Sequence, residues 1–128
     1  MLADHPLSTV LLVTDLDAAH RFYHQQLGLP ILERDATRLV VASGDTQLAL
    51  SLSTVGTADT QTQAFWRVTD LAAELDQLRQ RGVVTQEYDD DGLTTTNGIA
   101  DVGFALAAWI TDPFANTLGL LQHTPTAG

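Results

Sequence analysis

The hydrophobic and polar positions of this chain follow one pattern that occurs twice. An apolar, β-branched run at residues 8–13 ends at Thr14 and Asp15 and is followed by apolar residues at helical spacing. The same order returns later in the chain, and the tetrapeptide VTDL stands at both junctions, 13–16 and 68–71. In each half, this pattern predicts a strand that ends at the N-cap of a helix.

The first helix is predicted from its two ends and from one apolar face. Asp15 provides an N-cap, and Gly28 stands where a left-handed C-terminal cap is expected. The apolar face carries Leu16, Ala19, Tyr23 and Leu27. Short apolar or branched segments then predict three strands, at 31–36, 38–43 and 46–52. The first half is therefore predicted to contain a strand, a helix and three further strands.

The second half repeats this order after a small, polar connection at 53–62. Asp70 is the second N-cap and Gly82 the second terminator, and they lie 12 positions apart, against 13 for the first pair. The apolar face of the second helix carries Leu71, Leu75 and Leu78. Strands are predicted at 63–68, 83–88, 102–110 and 117–122, with a turn-rich stretch at 89–98.

These elements predict an α+β fold in which two tandem βαβββ modules form a single domain, residues 1–128. Module 1 spans about 5–53, the connection 54–62 and module 2 about 63–123. Each sheet is expected to bury one face under its own helix. The opposite faces, as two halves of one curved sheet, are expected to enclose a cleft.

Alternation along the strands assigns side chains to the two faces, because successive residues of a strand point to opposite sides. The helix side receives Leu11, Val13, Trp66 and Val68. The cleft side receives Ser8, Val10, Leu12, Gln63, Phe65 and Arg67. The cleft is where a functional site is expected.

Composition and charge remove several classes of function. The chain has no cysteine, which excludes disulfides, thiolate nucleophiles and sulfur-bound zinc. Its net charge of −10 disfavours nucleic acids and anionic membranes as partners. The same charge would favour a cationic small ligand, or it simply maintains solubility. No apolar run is long enough to cross a bilayer, and the start MLADHPLS lacks the pattern of a signal peptide. We therefore expect a soluble, cytoplasmic protein.

Two stretches of the chain resemble a known family. VTDLDAAHRFYHQQLGLPI, residues 13–31, is similar to the first-module signature of the vicinal oxygen chelate superfamily, the glyoxalase, bleomycin-resistance and extradiol dioxygenase group. WITDPFANTLGLLQ, residues 109–122, resembles its closing signature, although Ala115 stands where the family turn has glycine. The resemblance implies paired βαβββ modules, an open eight-stranded cup-shaped barrel and a homodimer. Because Ala resists positive φ more than Gly does, Ala115 predicts a turn that either differs locally from the family's or carries a small strain.

The resemblance also implies a divalent metal at fixed strand positions that face the cleft. In this chain those positions hold Ser8, Gln63, Gly119 and either Ala49 or Ser51. Only Gln63 is a competent ligand among them. The sequence therefore predicts no metal site and no cofactor, with a divalent metal kept for the alternative in which the ligands have moved.

The remaining polar motifs do not predict catalytic chemistry. His20 and His24 have i, i+4 spacing on the first helix, but no HExxH motif accompanies them. His123 is interpreted as a tail residue, and His5 lies too far from Ser8 to replace it. The acidic run 89–91 lacks the ligand spacing of a calcium loop and is interpreted as a solvated turn. There is no phosphate-binding glycine loop and no nucleophile elbow, so catalytic residues stay unassigned.

The cleft residues point instead to a small-molecule ligand. The family register puts Trp109 on the cleft side together with Gly103, Ala105 and Ala107, whose small size is expected to leave space. Trp109 and Phe65 are suited to stack on a flat ligand, while Gln63 and Ser8 are suited to hydrogen-bond it and Arg67 to pair with an anionic group. The alternative interpretation is that both aromatic rings merely fill the barrel.

Two functional hypotheses follow, with a third that the sequence supports less. The first is a metal-independent protein that sequesters or senses a flat, partly apolar, aromatic or cationic molecule, as in antibiotic resistance, with Val10, Leu12 and Gly119 completing the ligand site. The second is a metal-dependent lyase or dioxygenase with displaced ligands. In the third, dimerisation itself is the activity, as in a subunit that regulates a partner.

Overall fold

The computed structural model describes residues 1–56 and 61–124. These residues form two compact units, which are described separately below. The first unit contains residues 1–56 and Pro113–Asn116, and the second contains residues 61–112 and 117–124. Part of the predicted connection, at 57–60, lies outside the described residues. Within the described residues, no helix is both long and apolar enough to cross a membrane.

The first unit has the predicted order of strand, helix and three strands. Its elements are a 3-10 helix Leu2–Asp4, β1 Thr9–Val13, α1 Leu16–Ala19 continuing as a π-helix His20–Gln26, β2 Ile31–Arg34, β3 Arg38–Ser43 and β4 Thr46–Leu52. The sheet has the order β1-β4-β3-β2. Strand β1 runs parallel to β4, and the other neighbours are antiparallel.

Both predicted ends of the first helix are confirmed. The Asp15 carboxylate accepts hydrogen bonds from the backbone N–H groups of Asp17 and Ala18, at 2.9 and 3.2 Å. Gly28 adopts a φ of 78°, which is the left-handed conformation expected after a helix. The cap therefore fixes where β1 ends and the helix begins.

The π-helical segment was not predicted. Its wider turn is marked by the backbone bond from Leu27 N–H to the carbonyl of Phe22, at 2.9 Å, which spans five residues. Phe22 and Tyr23 are consecutive, yet both are buried. The 3.6-residue spacing assigned only Tyr23 to the buried face, and the predicted contact residue Leu27 is only half-buried.

The second unit contains one helix, a four-stranded sheet and a small hairpin. Its elements are β5 Thr62–Arg67, α2 Leu71–Gln80, β6 Asp89–Asp90, β7 Leu93–Thr94, β8 Ala100–Asp101, β9 Ala105–Thr111 and β10 Thr117–His123. The sheet order is β5-β10-β9-β8, and β6 pairs with β7 alone. Strand β5 is parallel to β10, while β10, β9 and β8 are antiparallel neighbours.

Helix α2 begins and ends as predicted. Asp70 accepts a hydrogen bond from Ala73 N–H at 3.1 Å, and Gly82 has a φ of 84°. Leu71 and Leu75 are fully buried, whereas Leu78 is half-buried. The backbone N–H of Leu71 also donates to the Gln122 side-chain oxygen at 2.8 Å, which ties the helix start to β10.

The prediction of a strand at 83–88 was wrong. This segment makes only an isolated bridge, between Thr85 and Ile110, and the fourth strand of the sheet is the two-residue β8. The predicted strand 102–110 also begins later than expected. Gly103 has a φ of 95° and donates its N–H to the Asp101 carboxylate at 2.9 Å, so a turn precedes β9.

The turn at Pro113–Asn116 belongs to the first unit although the sequence assigns it to the second module. Asn116 is buried, and its side-chain N–H donates to the carbonyl of Leu12 at 3.2 Å. Ala115 adopts a φ of 63°, which is the positive value that the family comparison predicted would be strained. A left-handed Ala costs roughly 1 kcal/mol relative to an unstrained conformation.

Replacing Ala115 with glycine is therefore expected to stabilise the protein. The gain should be about 0.5–1 kcal/mol, since glycine accepts positive φ but adds entropy to the unfolded chain. Urea unfolding followed by circular dichroism measures the difference. Ala73→Gly in helix α2 is the matched control and should instead cost about 1 kcal/mol. Equal losses for both variants would show that Ala115 carries no strain.

Candidate ligand-binding site

One row of residues crosses the second sheet. Phe65 of β5 pairs with Gly119 of β10, and Gly119 pairs with Trp109 of β9. Residues that lie opposite each other in neighbouring strands point to the same face of a sheet, so the three form a continuous row. We call Phe65, Gly119 and Trp109 the aromatic row.

The aromatic row lies on the face of the sheet that points away from α2. Gln122 of β10 contacts the start of α2 through its side chain, so even-numbered residues of β10 point toward the helix. Leu118 and Leu120 share that side and are buried. Because side chains alternate along a strand, Gly119 points the other way. The aromatic row thus occupies the side to which alternation assigned Phe65.

The indole ring of Trp109 is held from two directions. Its Nε1–H donates to the Thr62 hydroxyl at 3.2 Å. The ring of Tyr88 packs perpendicular to it, with centroids 5.4 Å apart and an interplanar angle of 88°. Edge-to-face pairs of this kind contribute about 0.5–1.5 kcal/mol beyond the area they bury. The orientation of the Trp109 indole ring is therefore fixed by its neighbours, and the side chain does not rotate freely.

Gly119 permits the close packing of this row. A Cβ atom at this position would lie 3.2 Å from Thr62 Cγ2 and 3.3 Å from Phe65 Cβ. Both distances are shorter than ordinary van der Waals contact, so any larger residue would push β5 side chains aside. Because Gly119 has no side chain, the sheet surface between Phe65 and Trp109 stays uncovered by a third side chain.

Two polar residues of β5, Gln63 and Arg67, stand two positions to either side of Phe65. Alternation puts Arg67 on the Phe65 face, while the shift in the β5–β10 pairing falls at Gln63. The Gln63 side-chain N–H donates to the carbonyl of Gln61 at 3.0 Å. The Arg67 side chain is exposed, and within residues 1–56 and 61–124 it has no hydrogen bond or ion pair. Phe65 between them is 57% exposed, which is a high value for an aromatic residue in a strand.

The accessible part of this face is limited to one side. Ala105 and Ala107 lie on the Trp109 side of β9 but are only 0% and 1% exposed. The expectation that these small residues leave open space was therefore wrong. The exposed surface of this face lies at β5. Gly103 is also exposed, but it belongs to the turn that precedes β9.

The first sheet holds the other predicted ligand residues. Val10 pairs with Ala49, and Leu12 pairs with Ser51, so these four side chains share one face. Val10 is exposed, Leu12 is half-buried, and Ser8 is exposed and precedes β1. The participation of Ser8, Val10 and Leu12 in one site with the aromatic row stays a prediction.

The residues at the family's metal positions do not fit a metal centre of that kind. Gly119 offers no ligand atom, Ser8 lies outside its strand, and the side-chain N–H of Gln63 is turned to a backbone carbonyl. Throughout the part of the chain that the structure describes, no group of three or more His, Cys, Asp or Glu residues is placed to hold a metal ion.

The helix histidines form hydrogen bonds to other groups of the first unit. His24 Nδ1 donates to the carbonyl of Leu29 at 2.8 Å, and Arg34 donates to His20 Nδ1 at 3.1 Å. Arg34 also donates to the Asp17 carboxylate at 2.6 Å, and this bond holds the pKa of Asp17 below its usual value. The His20 and His24 rings stand perpendicular, 5.1 Å apart.

His123 is not a tail residue, so that interpretation was wrong. It is the last residue of β10 and pairs with Ala105. Its ring lies 5.8 Å from that of Phe104, and its Nδ1 atom is buried without a hydrogen-bond partner among the described residues. Sequence reasoning also missed Thr62, Tyr88 and Thr95, since nothing in the sequence links them to Trp109.

A family model matches residues 4–120 of the chain. Its description is Glyoxalase/Bleomycin resistance protein/Dioxygenase superfamily. The chain belongs to this superfamily. The predicted family resemblance and the predicted fold class are thereby confirmed. No curated protein matches the chain.

Solved structures show the same fold along nearly the whole chain. A bleomycin-binding protein complexed with bleomycin has a TM-score of 0.69 and 23% identity, covering 94% of this chain and 99% of that one. TnmS3, an antibiotic binding protein from Streptomyces sp. CB03234, has a TM-score of 0.67 and 22% identity, covering 94% and 96%. A glyoxalase/bleomycin resistance protein/dioxygenase from Alicyclobacillus acidocaldarius has a TM-score of 0.72 and 19% identity, covering 95% and 93%.

Proposed function

We propose that this protein binds a flat, partly apolar small molecule over the aromatic row, without a metal ion, and so sequesters or senses it. The observation that carries the proposal is the geometry of Phe65, Gly119 and Trp109: two aromatic side chains on one face with a residue between them that has no side chain. The names of two structural neighbours, which bind bleomycin or an antibiotic, support a small-molecule ligand.

The aromatic row suits such a ligand because it is partly formed before binding. Thr62 and Tyr88 hold the Trp109 ring, so a ligand that stacks there loses little of its binding free energy to ordering the indole. Phe65 is exposed, and covering it removes apolar surface from water at about 25 cal/mol per Å². The fixed Trp109 ring and the burial of Phe65 both favour a ligand with a flat ring system.

The charges near the row define the polar part of the ligand. Arg67 is a guanidinium without an ion-pair partner among the described residues, and it lies two positions from Phe65 on the same face. Gln63 lies two positions away on the other side and supplies a carbonyl acceptor. The net charge of −10 favours a cationic ligand at long range, while Arg67 favours an anionic group at close range.

Assembly and location are part of the same proposal. We place the protein in the cytoplasm as a homodimer, with Ser8, Val10 and Leu12 contributing to the ligand site. Light scattering coupled to size-exclusion chromatography measures the mass directly. A mass of one chain, about 13.8 kDa, across the concentration range would contradict the homodimer.

Replacing Trp109 with alanine tests the ligand site. Calorimetric titration would use three probes: bleomycin, the flat cation proflavine and the flat anion naphthalene-2-sulfonate. We expect saturable binding of at least one probe and a loss of about 10- to 100-fold in its affinity in Trp109→Ala, since stacking and buried area are both removed. Trp66→Ala, on the helix side of the same sheet, is the matched control and should bind as the wild type does.

Two results would contradict this proposal. One is the absence of saturable binding for all three probes up to about 1 mM, where a binding free energy near −4 kcal/mol would still be detected. The other is equal affinity of Trp109→Ala and the wild type. A chelator-treated sample should bind like an untreated one. Stoichiometric metal that is lost in Gln63→Ala would instead support a metal-dependent lyase or dioxygenase.

A further inference from the structure

We infer that Thr95 is a positioning residue of this site: it holds Tyr88 against Trp109 and thereby determines how much of the indole a ligand can reach. The inference rests on the proposed function for its consequence in binding. The contact it explains, between Tyr88 and Trp109, belongs to the second unit alone.

The Thr95 hydroxyl uses both its proton and its lone pairs. Thr95 is 9% exposed. Its Oγ1–H donates to a Glu87 carboxylate oxygen at 2.6 Å, while the oxygen accepts the backbone N–H of Tyr88 at 2.8 Å. The Thr95 backbone N–H donates to the Tyr88 carbonyl at 2.9 Å. One buried residue thus binds both backbone polar groups of Tyr88.

These bonds replace a strand partner that Tyr88 lacks. Within the described residues, the backbone of segment 83–88 meets β9 at the Thr85 bridge and through the bond from Gln86 N–H to the carbonyl of Trp109, at 2.8 Å. The hairpin that follows has two residues in each strand, and so short a hairpin is marginally stable by itself. Thr95 is therefore the residue that fixes the backbone from which the Tyr88 ring extends.

For the ligand site, the consequence is that Tyr88 limits the width of a ligand that stacks on Trp109. The Tyr88 ring covers part of the Trp109 indole, and the Thr62 hydroxyl occupies its Nε1–H. A ligand that stacks on Trp109 must fit in the area that Tyr88 leaves uncovered. Without the Thr95 bonds, the Tyr88 backbone would exchange between conformations, and the ring would no longer define that edge.

The first measurement needs no ligand. In a Trp66→Phe background, Trp109 is the sole tryptophan, and acrylamide quenching of its fluorescence reports its accessibility. We expect Thr95→Val to raise the quenching constant about twofold because local opening exposes the indole. Thr95→Ser retains the hydroxyl and should quench like the parent. Tyr88→Leu, which removes the ring itself, should quench like Thr95→Val.

The second measurement concerns selectivity. Relative to the parent, Thr95→Val and Tyr88→Leu should shift the affinity ratio of proflavine to naphthalene-2-sulfonate in favour of the wider proflavine, by about threefold or more. Thr95→Ser should leave this ratio as in the parent. If Thr95→Val does not fold, Thr95→Ala, which also removes the hydroxyl, takes its place in both measurements.

The outcomes separate this inference from the proposed function. Unchanged quenching in Thr95→Val, or in Thr95→Ala if the first variant does not fold, would overturn the positioning role even if Trp109→Ala still abolishes binding. Raised quenching in a protein that binds none of the probes would support the positioning of Tyr88 and contradict the proposed function.

Discussion

Replacing Asn116 with aspartate is expected to lower the free energy of unfolding by about 3 kcal/mol at pH 7. Asn116 is fully buried, and its side-chain N–H donates to the carbonyl of Leu12. An aspartate at this position has no proton to donate when it is ionised, and its charge faces a carbonyl oxygen. The variant must either bury an uncompensated charge or take up a proton on folding.

The loss of stability in Asn116→Asp should become larger as pH rises. Burial and the neighbouring carbonyl both raise the pKa of a carboxyl in the folded protein above its unfolded value of about 3.9. Between the two pKa values the folded state binds more protons, so the stability of Asn116→Asp falls as pH rises. Below both values the protonated acid can donate to the Leu12 carbonyl, and the variant should approach the wild type.

Urea unfolding of both proteins at pH 4 and pH 7.5 measures this difference, with the wild type as reference at each pH. Asn97→Asp is the matched control, because it adds the same charge at an exposed residue whose φ of 53° aspartate tolerates. It should change stability by less than about 0.5 kcal/mol. A pH-independent cost at Asn116 would show that the Leu12 bond is not what the substitution breaks.

Local signals with a clear physical cause allowed much of the fold to be predicted. Asp15 and Asp70 are capping residues followed by apolar faces, and both helices begin where those residues indicate. The errors lie where the chain departs from a regular period. The π-helical turn buries Phe22 beside Tyr23, whereas the predicted apolar face contained only Tyr23 of the two. The segment 83–88 has the composition of a strand, but it forms only an isolated bridge at Thr85, and its last residue, Tyr88, bonds to Thr95.

Less of the candidate site than of the fold could be predicted from the sequence. Alternation assigned Phe65 to a face, but it cannot give the register that sets Phe65 opposite Gly119, particularly since the β5–β10 pairing shifts between Thr117 and Leu118. The contacts that hold Trp109 join residues far apart in the chain, such as Thr62. Such contacts follow from strand pairing and have no local sequence signal.

Introducing glutamate at Gly119 is expected to destabilise the protein by about 3 kcal/mol or more at pH 7. The new Cβ would stand 3.2 Å from Thr62 Cγ2 and 3.3 Å from Phe65 Cβ, so the β5 side chains must move. The carboxylate would also sit between two aromatic residues, and burial there would raise its pKa. Part of the loss should therefore be recovered as pH falls below that raised value.

The Gly119 series separates these causes and tests the role of metal at the same time. Gly119→Ala reports the Cβ contact alone, and Gly119→Gln has the size of glutamate without its charge, so the difference between Gly119→Gln and Gly119→Glu isolates the charge. Because Ser8 and Gly119 are both unsuited as ligands, restoring one carboxylate should not create a site, and Zn²⁺ or Mn²⁺ should leave the unfolding midpoint of Gly119→Glu unchanged. A variant as stable as the wild type would show that the row is loosely packed. A metal-dependent rise in its midpoint would mean that the remaining ligands are already in place, which would contradict the expectation that the other positions do not fit a metal.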